Sequence, residues 1–210
     1  MNAPANPRIS SRKDPKQARS AALVEAVLQA ASQVLAKEGA QRFTMARVAD
    51  AAGVSVGSLY QYFPNKAAIL FRLQSDEWRE TSGLLRVILE DRSLPPLDRL
   101  RKLVHAFIRS ECEEAAVRIA LDDAAPFYRD APEAKVAKAS GAGIVLAFLE
   151  EVLPDASSET RSLVGDMIKT TMSEVGKTFS ERRPTEGEIV RYADAMGEMF
   201  CAYLAQVRRS

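Results

Sequence analysis

Apolar residues recur at steps of three and four along most of this 210-residue chain, and this period limits the possible folds more than any other feature. Such steps place side chains on one face of an α-helix, whereas a strand requires alternation with a period of two, which is sustained nowhere in the sequence. The clearest example lies in a predicted helix over residues 17–38, which ends at Gly39. The sequence therefore predicts an all-α protein of about nine helices.

Cysteine and histidine are too scarce for several classes of protein. Cys112 and Cys201 lie far apart and outside any CxxC motif, which excludes a disulfide framework and a zinc finger. His105 is the single histidine, so few catalytic or metal sites that need histidine can be built. We therefore expect no catalytic activity, no cofactor and no metal site.

No segment of the sequence is suited to a membrane. A spanning helix needs roughly 18 uncharged apolar residues. The most apolar stretch near the N-terminus, residues 23–35, is interrupted by Glu25, Gln29 and Gln33. The first 20 residues also lack the apolar core of a signal peptide. We expect a cytoplasmic protein without a membrane partner.

Positive charge is concentrated in the first third of the chain. Residues 1–66 hold nine lysines and arginines against four acidic residues, a net charge of +5, while the remainder carries −4. This asymmetry indicates that the first part binds a polyanion. Residues 1–16, with three prolines and no apolar period, are predicted to form a disordered basic arm. Its cations either enter a DNA minor groove or stay solvated, and the sequence leaves both possibilities open: Arg8, Arg12, Lys13 and Lys16.

Two short helices joined by a tight turn are predicted between residues 44 and 62. Thr44 and Ser55 are typical N-cap residues, and each follows an apolar residue that can form a hydrophobic staple. Gly53 suits the tight turn, and Asn65 suits the cap of the next helix. The pattern predicts a helix-turn-helix whose second helix presents side chains suited to bases and phosphates: Ser55, Ser58, Gln61 and Tyr62.

The run from Phe43 to Lys66 resembles the DNA-binding domain of the tetracycline-repressor (TetR) family, above all in the pattern Leu59-Tyr60-x-Tyr62-Phe63-x-Asn65-Lys66. The resemblance extends over residues 17–75, and beyond residue 80 it concerns architecture and length only. It implies a helix-turn-helix DNA-binding domain over residues 17–66, which includes the start of the fourth helix. Residues 67–210 would then form a helical effector-binding and dimerisation domain.

The same resemblance implies the residues that contact DNA. Val56, Gly57 and Ser58 would lie nearest the bases, and Lys66 would meet a phosphate at a helix N-terminus. For Tyr60, core packing is an equal alternative to phosphate contact. The full set of expected DNA-binding residues is Thr44, Arg47, Ser55, Val56, Gly57, Ser58, Tyr60, Gln61, Tyr62 and Lys66.

The C-terminal part carries weaker signals. An effector pocket would be lined by Phe107, Met167 and Met172, with His105 and Tyr128 as polar anchors. Before the last two helices, a helix is predicted from Pro132 to Leu153. Apolar stripes on those last two helices, over residues 157–180 and 185–208, predict a homodimer interface. Its residues are Leu163, Met167, Thr171, Val175, Phe179, Ile189, Ala193, Met196, Phe200, Tyr203 and Val207.

The resemblance implies a dimeric transcriptional repressor that binds a palindromic, double-stranded DNA operator and is released by a small apolar or amphipathic effector. Three alternatives stay open. The chain could be a constitutive DNA-binding protein without an effector, or a redox sensor that uses its two cysteines. It could also be a helical enzyme that uses His105 with Asp122 or Asp123, although this leaves the pattern from Leu59 to Lys66 unexplained.

Overall fold

The computed structural model describes residues 8–11, 18–139 and 142–209. These residues form ten α-helices and a short 3-10 turn, and none of them lies in a strand, which confirms the predicted all-α class. None of their helices is both long and apolar enough to cross a bilayer. The elements are α1 (Ala18–Arg42), α2 (Met45–Ala51), α3 (Val56–Tyr62), α4 (Lys66–Leu89), α5 (Pro96–Glu113), α6 (Ala115–Ala124), the 3-10 turn (Ala125–Phe127), α7 (Pro132–Ala139), α8 (Ala142–Val152), α9 (Ser158–Ser180) and α10 (Glu186–Arg209).

One helix extends past its predicted end, and another is described only in part. α1 continues to Arg42, but Gly39 has φ 74° and ψ 169°, so the glycine interrupts the helix where the sequence placed its end. Within the helix predicted from residue 132 to 153, the described residues form α7 and α8, and the continuity of the two stays a prediction. Gly141, one of two glycines in that segment, lies outside the described residues.

The helices pack as two compact units. The first consists of the described residues of Met1–Trp78 and Ala116–Ala139. Its core joins Leu35 of α1, Val48 of α2 and Leu59 of α3 with Leu121 of α6, all of them buried. Residues 116–139 therefore pack with the N-terminal helices, although the predicted functional division assigned them to the C-terminal domain. That functional boundary at residue 66 stays a prediction.

Part of the predicted arm is packed rather than free. Ile9 is only 2% exposed and belongs to the apolar core of the first unit. The backbone carbonyl of Arg8 accepts a hydrogen bond from Asn65 Nδ2 at 3.1 Å. Residues 8–11 are thus held on the unit, because one apolar side chain and one polar bond fasten them. Arg12, Lys13 and Lys16 of the arm lie outside the described residues.

The second unit consists of the described residues of Arg79–Ala115 and Ser140–Ser210. In it α5 packs against both α9 and α10. α9 approaches α5 closely at Gly176, where a Cβ atom would lie 3.3 Å from the side chains of Phe107 and Ile108. Buried Arg99 bonds to the carbonyl of Leu89, at the end of α4, and forms an ion pair with Glu151 of α8.

The residues of the predicted dimer interface differ in their burial, and the interface itself stays a prediction. Ile189, Ala193, Met196 and Phe200 are buried inside the second unit of a single chain. The apolar stripe that they form packs against α5 and not against solvent. A period of three to four residues predicts that one face of a helix is buried, but it does not identify the element that covers this face. Phe179 of α9 is buried in the same core, whereas Thr171, Val175, Tyr203 and Val207 are half-buried. Exposed apolar side chains are found at Leu163 (60%) and Met167 (52%) of α9, and also at Val190 and Met199 of α10.

Candidate nucleic-acid interface

The helix-turn-helix is built from two helices of seven residues each. Helices this short are not stable alone, so their ends must be capped and their inner faces buried. Thr44 Oγ1 accepts the backbone N–H of Arg47 at 3.3 Å, and Ser55 Oγ accepts that of Ser58 at 3.0 Å. Both predicted caps are therefore confirmed. Gly53 has φ 66° in the turn, where a left-handed backbone favours glycine.

The second helix, α3, divides into a buried face and an exposed face. Leu59 is fully buried, and so is Phe63 directly after the helix. Val56 is 38% exposed and Tyr60 is 41% exposed, so Tyr60 is not a core residue. Ser55, Gly57 and Gln61 are exposed as well, while Ser58 and Tyr62 are half-buried. α3 thus presents a continuous surface of small, hydroxyl and amide groups outside its core contacts.

Both the oxygen and the nitrogen of the Asn65 side-chain amide form hydrogen bonds at the start of α4. Oδ1 accepts the backbone N–H of Ala68 at 2.9 Å, which confirms the predicted cap. Nδ2 donates to the carbonyl of Arg8, as described above. Lys66, the first residue of α4, holds its ammonium 4.1 Å from the centre of the Phe127 ring.

The two expected cationic contacts differ in their partners. Arg47 forms an ion pair with Glu38 of α1, so its charge is balanced within the chain. Lys66 lies over an aromatic face, and no carboxylate pairs with it among the residues that the structure describes. Lys66 therefore offers more uncompensated positive charge to a phosphate than Arg47 does.

Sequence reasoning missed Phe127 and the bond between Arg8 and Asn65. Phe127 lies 61 positions after Lys66, and Arg8 lies 57 positions before Asn65. No local period or motif connects residues so far apart. A Lys–aromatic pair becomes visible only when α4 and the 3-10 turn are packed together.

The five residues expected in an effector pocket fall in two different units. Tyr128 is buried in the first unit, while His105, Phe107, Met167 and Met172 belong to the second. His105 Nε2 is 2.8 Å from Asp194 Oδ1 at the surface of α5 and α10. Phe107 and Met172 contribute to the core of the second unit, whereas Met167 is exposed. The pocket stays a prediction.

The residues of the alternative functions are distributed over both units. Asp122 and Asp123 are exposed on α6 of the first unit, and His105 lies in the second. Cys112 and Cys201 are both free thiols, and burial raises the pKa of each. A raised pKa lowers the thiolate fraction that redox chemistry needs, so these thiols do not resemble reactive sensor cysteines.

Two family models match the chain. Residues 27–73 match the model described as "Bacterial regulatory proteins, tetR family", and residues 95–207 match "Tetracyclin repressor-like, C-terminal domain". The chain is 38% identical over 87 residues to the nucleoid occlusion factor SlmA of Vibrio campbellii, covering 40% of this chain and 43% of that protein. It is 32% identical over 78 residues to the HTH-type transcriptional regulator TtgR of Pseudomonas putida, covering 37% of each chain. The chain therefore spans about two fifths of the length of these curated relatives.

Solved structures share the fold over nearly the whole chain. The fatty acid degradation regulator FadR of Bacillus halodurans has a TM-score of 0.69 at 18% identity, covering 90% of this chain and 96% of that one. FadR of Bacillus subtilis, in complex with stearoyl-CoA, has a TM-score of 0.69 at 17% identity, covering 84% and 97%. TetR-type proteins are transcriptional regulators and not enzymes, which agrees with the expectation from the sequence. With family models matching both its N-terminal and its C-terminal part, the chain belongs to the TetR family of transcriptional regulators.

Proposed function

We propose that this regulator is a cytoplasmic repressor that binds a palindromic operator as a homodimer and is released by a small apolar or amphipathic effector. The observation that carries the DNA-binding part is the exposed face of α3, which is held rigidly by the cap at Ser55 and by buried Leu59. An exposed helix of this kind fits the major groove, where donors and acceptors differ between base pairs.

The exposed groups separate into two classes of DNA contact. Val56, Gly57, Ser58 and Gln61 are suited to base edges, and substitutions there should change which sequence is preferred. Phosphates would be bound by Thr44, Arg47, Ser55, Tyr60, Tyr62 and Lys66, which position the protein without reading sequence.

The first experiment is footprinting of the purified protein on the promoter of its own gene, followed by affinity measurements over a range of salt concentrations. Lys66→Ala should weaken binding to all duplexes alike and reduce the salt slope by about 1 for each protomer. Lys169→Ala is the matched control, because this lysine of α9 pairs with Asp166 on the surface of the other unit. If both variants reduce the salt dependence of the affinity equally, the proposed contact between Lys66 and a phosphate is contradicted. A wild-type protein that binds no duplex would contradict it as well.

A dimer follows from the symmetry of a palindromic operator. Two copies related by a twofold axis would place two α3 helices about 34 Å apart, or one turn of DNA. Leu163 and Met167, one helical turn apart and exposed on α9, are apolar groups that a second copy could cover.

Effector release is proposed by analogy with fold neighbours. The B. subtilis FadR structure contains stearoyl-CoA, and the LfrR structure from Mycobacterium smegmatis contains proflavine. Stearoyl-CoA and proflavine are therefore the first probes for this chain, with Phe107, Met172, Met167, His105 and Tyr128 as candidate contacts. Coupling of about 1–3 kcal/mol would lower operator affinity roughly 5- to 150-fold. Because coupling is reciprocal, saturating operator must weaken probe binding by the same factor, and equal affinities would contradict release.

A constitutive DNA-binding role is the second candidate, and the match to a protein named nucleoid occlusion factor favours it. Chromatin immunoprecipitation separates the two candidates. A repressor should occupy its own promoter and few other places, whereas a constitutive chromosomal protein should occupy many dispersed sites and respond to no probe.

A further inference from the structure

We propose that Phe127 is a positioning residue for DNA binding, which holds the Lys66 ammonium where a backbone phosphate can meet it. The inference rests on the proposed phosphate contact of Lys66. It adds the 3-10 turn Ala125–Phe127, which lies outside the predicted helix-turn-helix domain, to the DNA-binding machinery.

The geometry is that of a cation–π pair. Lys66 Nζ lies 4.1 Å from the centre of the Phe127 ring, well inside the roughly 6 Å within which the negative face of an aromatic ring attracts a cation. Both residues belong to the first unit, and both are half-buried. The ring therefore lies against the ammonium, while the lysine as a whole keeps part of its surface exposed.

An aromatic partner suits a phosphate contact better than an acidic partner does. A carboxylate would neutralise the ammonium and would have to be displaced by DNA, as Glu38 must be displaced from Arg47. The ring restrains the long lysine side chain without neutralising it. Since an unrestrained lysine loses conformational entropy when it binds, restraint before binding favours the complex.

The ring is itself fixed to α4 by neighbouring contacts. Tyr128, the next residue, donates its hydroxyl to Gln74 of α4 and to the carbonyl of Leu121. The Tyr128 ring also packs on Phe71 of α4, with a centroid distance of 6.0 Å. The turn and the start of α4 are thus parts of one packed structure. Any shift of the turn relative to α4 would withdraw the ring from Lys66.

The test uses the full chain and a fluorescent duplex of random sequence at low salt, because phosphate contacts do not depend on sequence. Phe127→Leu, which keeps an apolar side chain but removes the ring, should weaken binding about two- to fivefold for each protomer. Phe127→Tyr keeps the ring and should bind like the wild type. If Phe127→Leu is poorly folded by circular dichroism, Phe127→Met replaces it.

The decisive comparison is made in the Lys66→Ala background. There, Phe127→Leu should have no further effect, because the ring acts only through the ammonium. An equal loss in both backgrounds, or no loss in either, overturns the inference while the proposed DNA binding stands. If Lys66→Ala itself leaves affinity unchanged, both the Lys66 contact and this inference are wrong. If the wild type binds no duplex, the proposed function fails as well.

Discussion

The hydroxyl of Tyr128 lies 3.0 Å from Gln74 Oε1 and 3.1 Å from the carbonyl oxygen of Leu121, and both the tyrosine and the glutamine are buried. Its single proton is therefore shared between two acceptors. Burial raises the pKa of Tyr128, so the hydroxyl stays protonated and acts as a neutral donor. This group links the end of α6 and the following turn to α4 within the first unit.

Tyr128→Phe should lower the free energy of unfolding by about 1–3 kcal/mol, because it leaves two buried acceptors without their donor. Chemical denaturation followed by circular dichroism measures this change. Tyr203→Phe, at a half-buried tyrosine of the second unit, is the control. A Tyr128→Phe protein as stable as the wild type would contradict the importance of this bond.

Substitutions at Ser55 should separate folding from DNA binding. Ser55→Ala removes the cap of α3 and should cost about 0.5–2 kcal/mol of stability. Ser55→Asp supplies a carboxylate that can accept the same N–H, so stability should be retained. Its negative charge at the exposed start of α3 should nevertheless repel phosphates and weaken DNA binding. Thermal unfolding and fluorescence anisotropy check the two effects, and an Asp variant that binds DNA like the wild type would place Ser55 outside the interface.

The distribution of buried and exposed apolar residues predicts different outcomes for Leu163 of α9 and Phe200 of α10. Leu163→Glu, at an exposed position, should leave the fold intact and shift a dimer toward monomers in sedimentation at micromolar concentration. Phe200→Ala, in the core, should lower the free energy of unfolding by about 3–5 kcal/mol. A wild-type protein that sediments as a monomer, or a Leu163→Glu protein that stays dimeric, would contradict a dimer interface at the exposed residues of α9.

Acid should weaken the contact between α5 and α10. Arg109 donates to Glu186 at 2.9 Å and Arg101 donates to Glu198 at 2.7 Å, and these bonds lower the pKa of both carboxyls from the ordinary value of 4.5. A group with a lower pKa in the folded state contributes stability above its ordinary pKa. That contribution is lost as the pH falls through the folded-state pKa.

The melting temperature should therefore fall below pH 4.5, and the combination Glu186→Gln and Glu198→Gln should make this fall shallower. Both carboxyls are on the surface, so the effect should also shrink at high salt. Glu181→Gln, at an exposed residue after α9, is the control. An acid profile that is identical in the double variant and the wild type would show that these pairs contribute nothing measurable.

The local features of this chain were determined by its sequence. The caps at Thr44, Ser55 and Asn65 were predicted correctly because each involves a backbone N–H only three residues away. The turn at Gly53 was predicted because its positive φ favours glycine. Caps and tight turns require particular residue types at fixed spacings, so they can be read from the sequence. The pattern that ends in Asn65 and Lys66 was sufficient to indicate the family.

Only the tertiary structure decided which distant residues meet. The apolar stripe of α10 was visible in the sequence, but its burial against α5 was not, and neither was the position of Phe127 beneath Lys66. The bond between Tyr128 and Gln74, 54 positions apart, was likewise not visible in the sequence. The physical reason is that the hydrophobic effect is non-directional: it favours burial of an apolar side chain whatever element buries it. A periodic pattern therefore states that a face is covered, and only the packing of the whole chain selects the element that covers it.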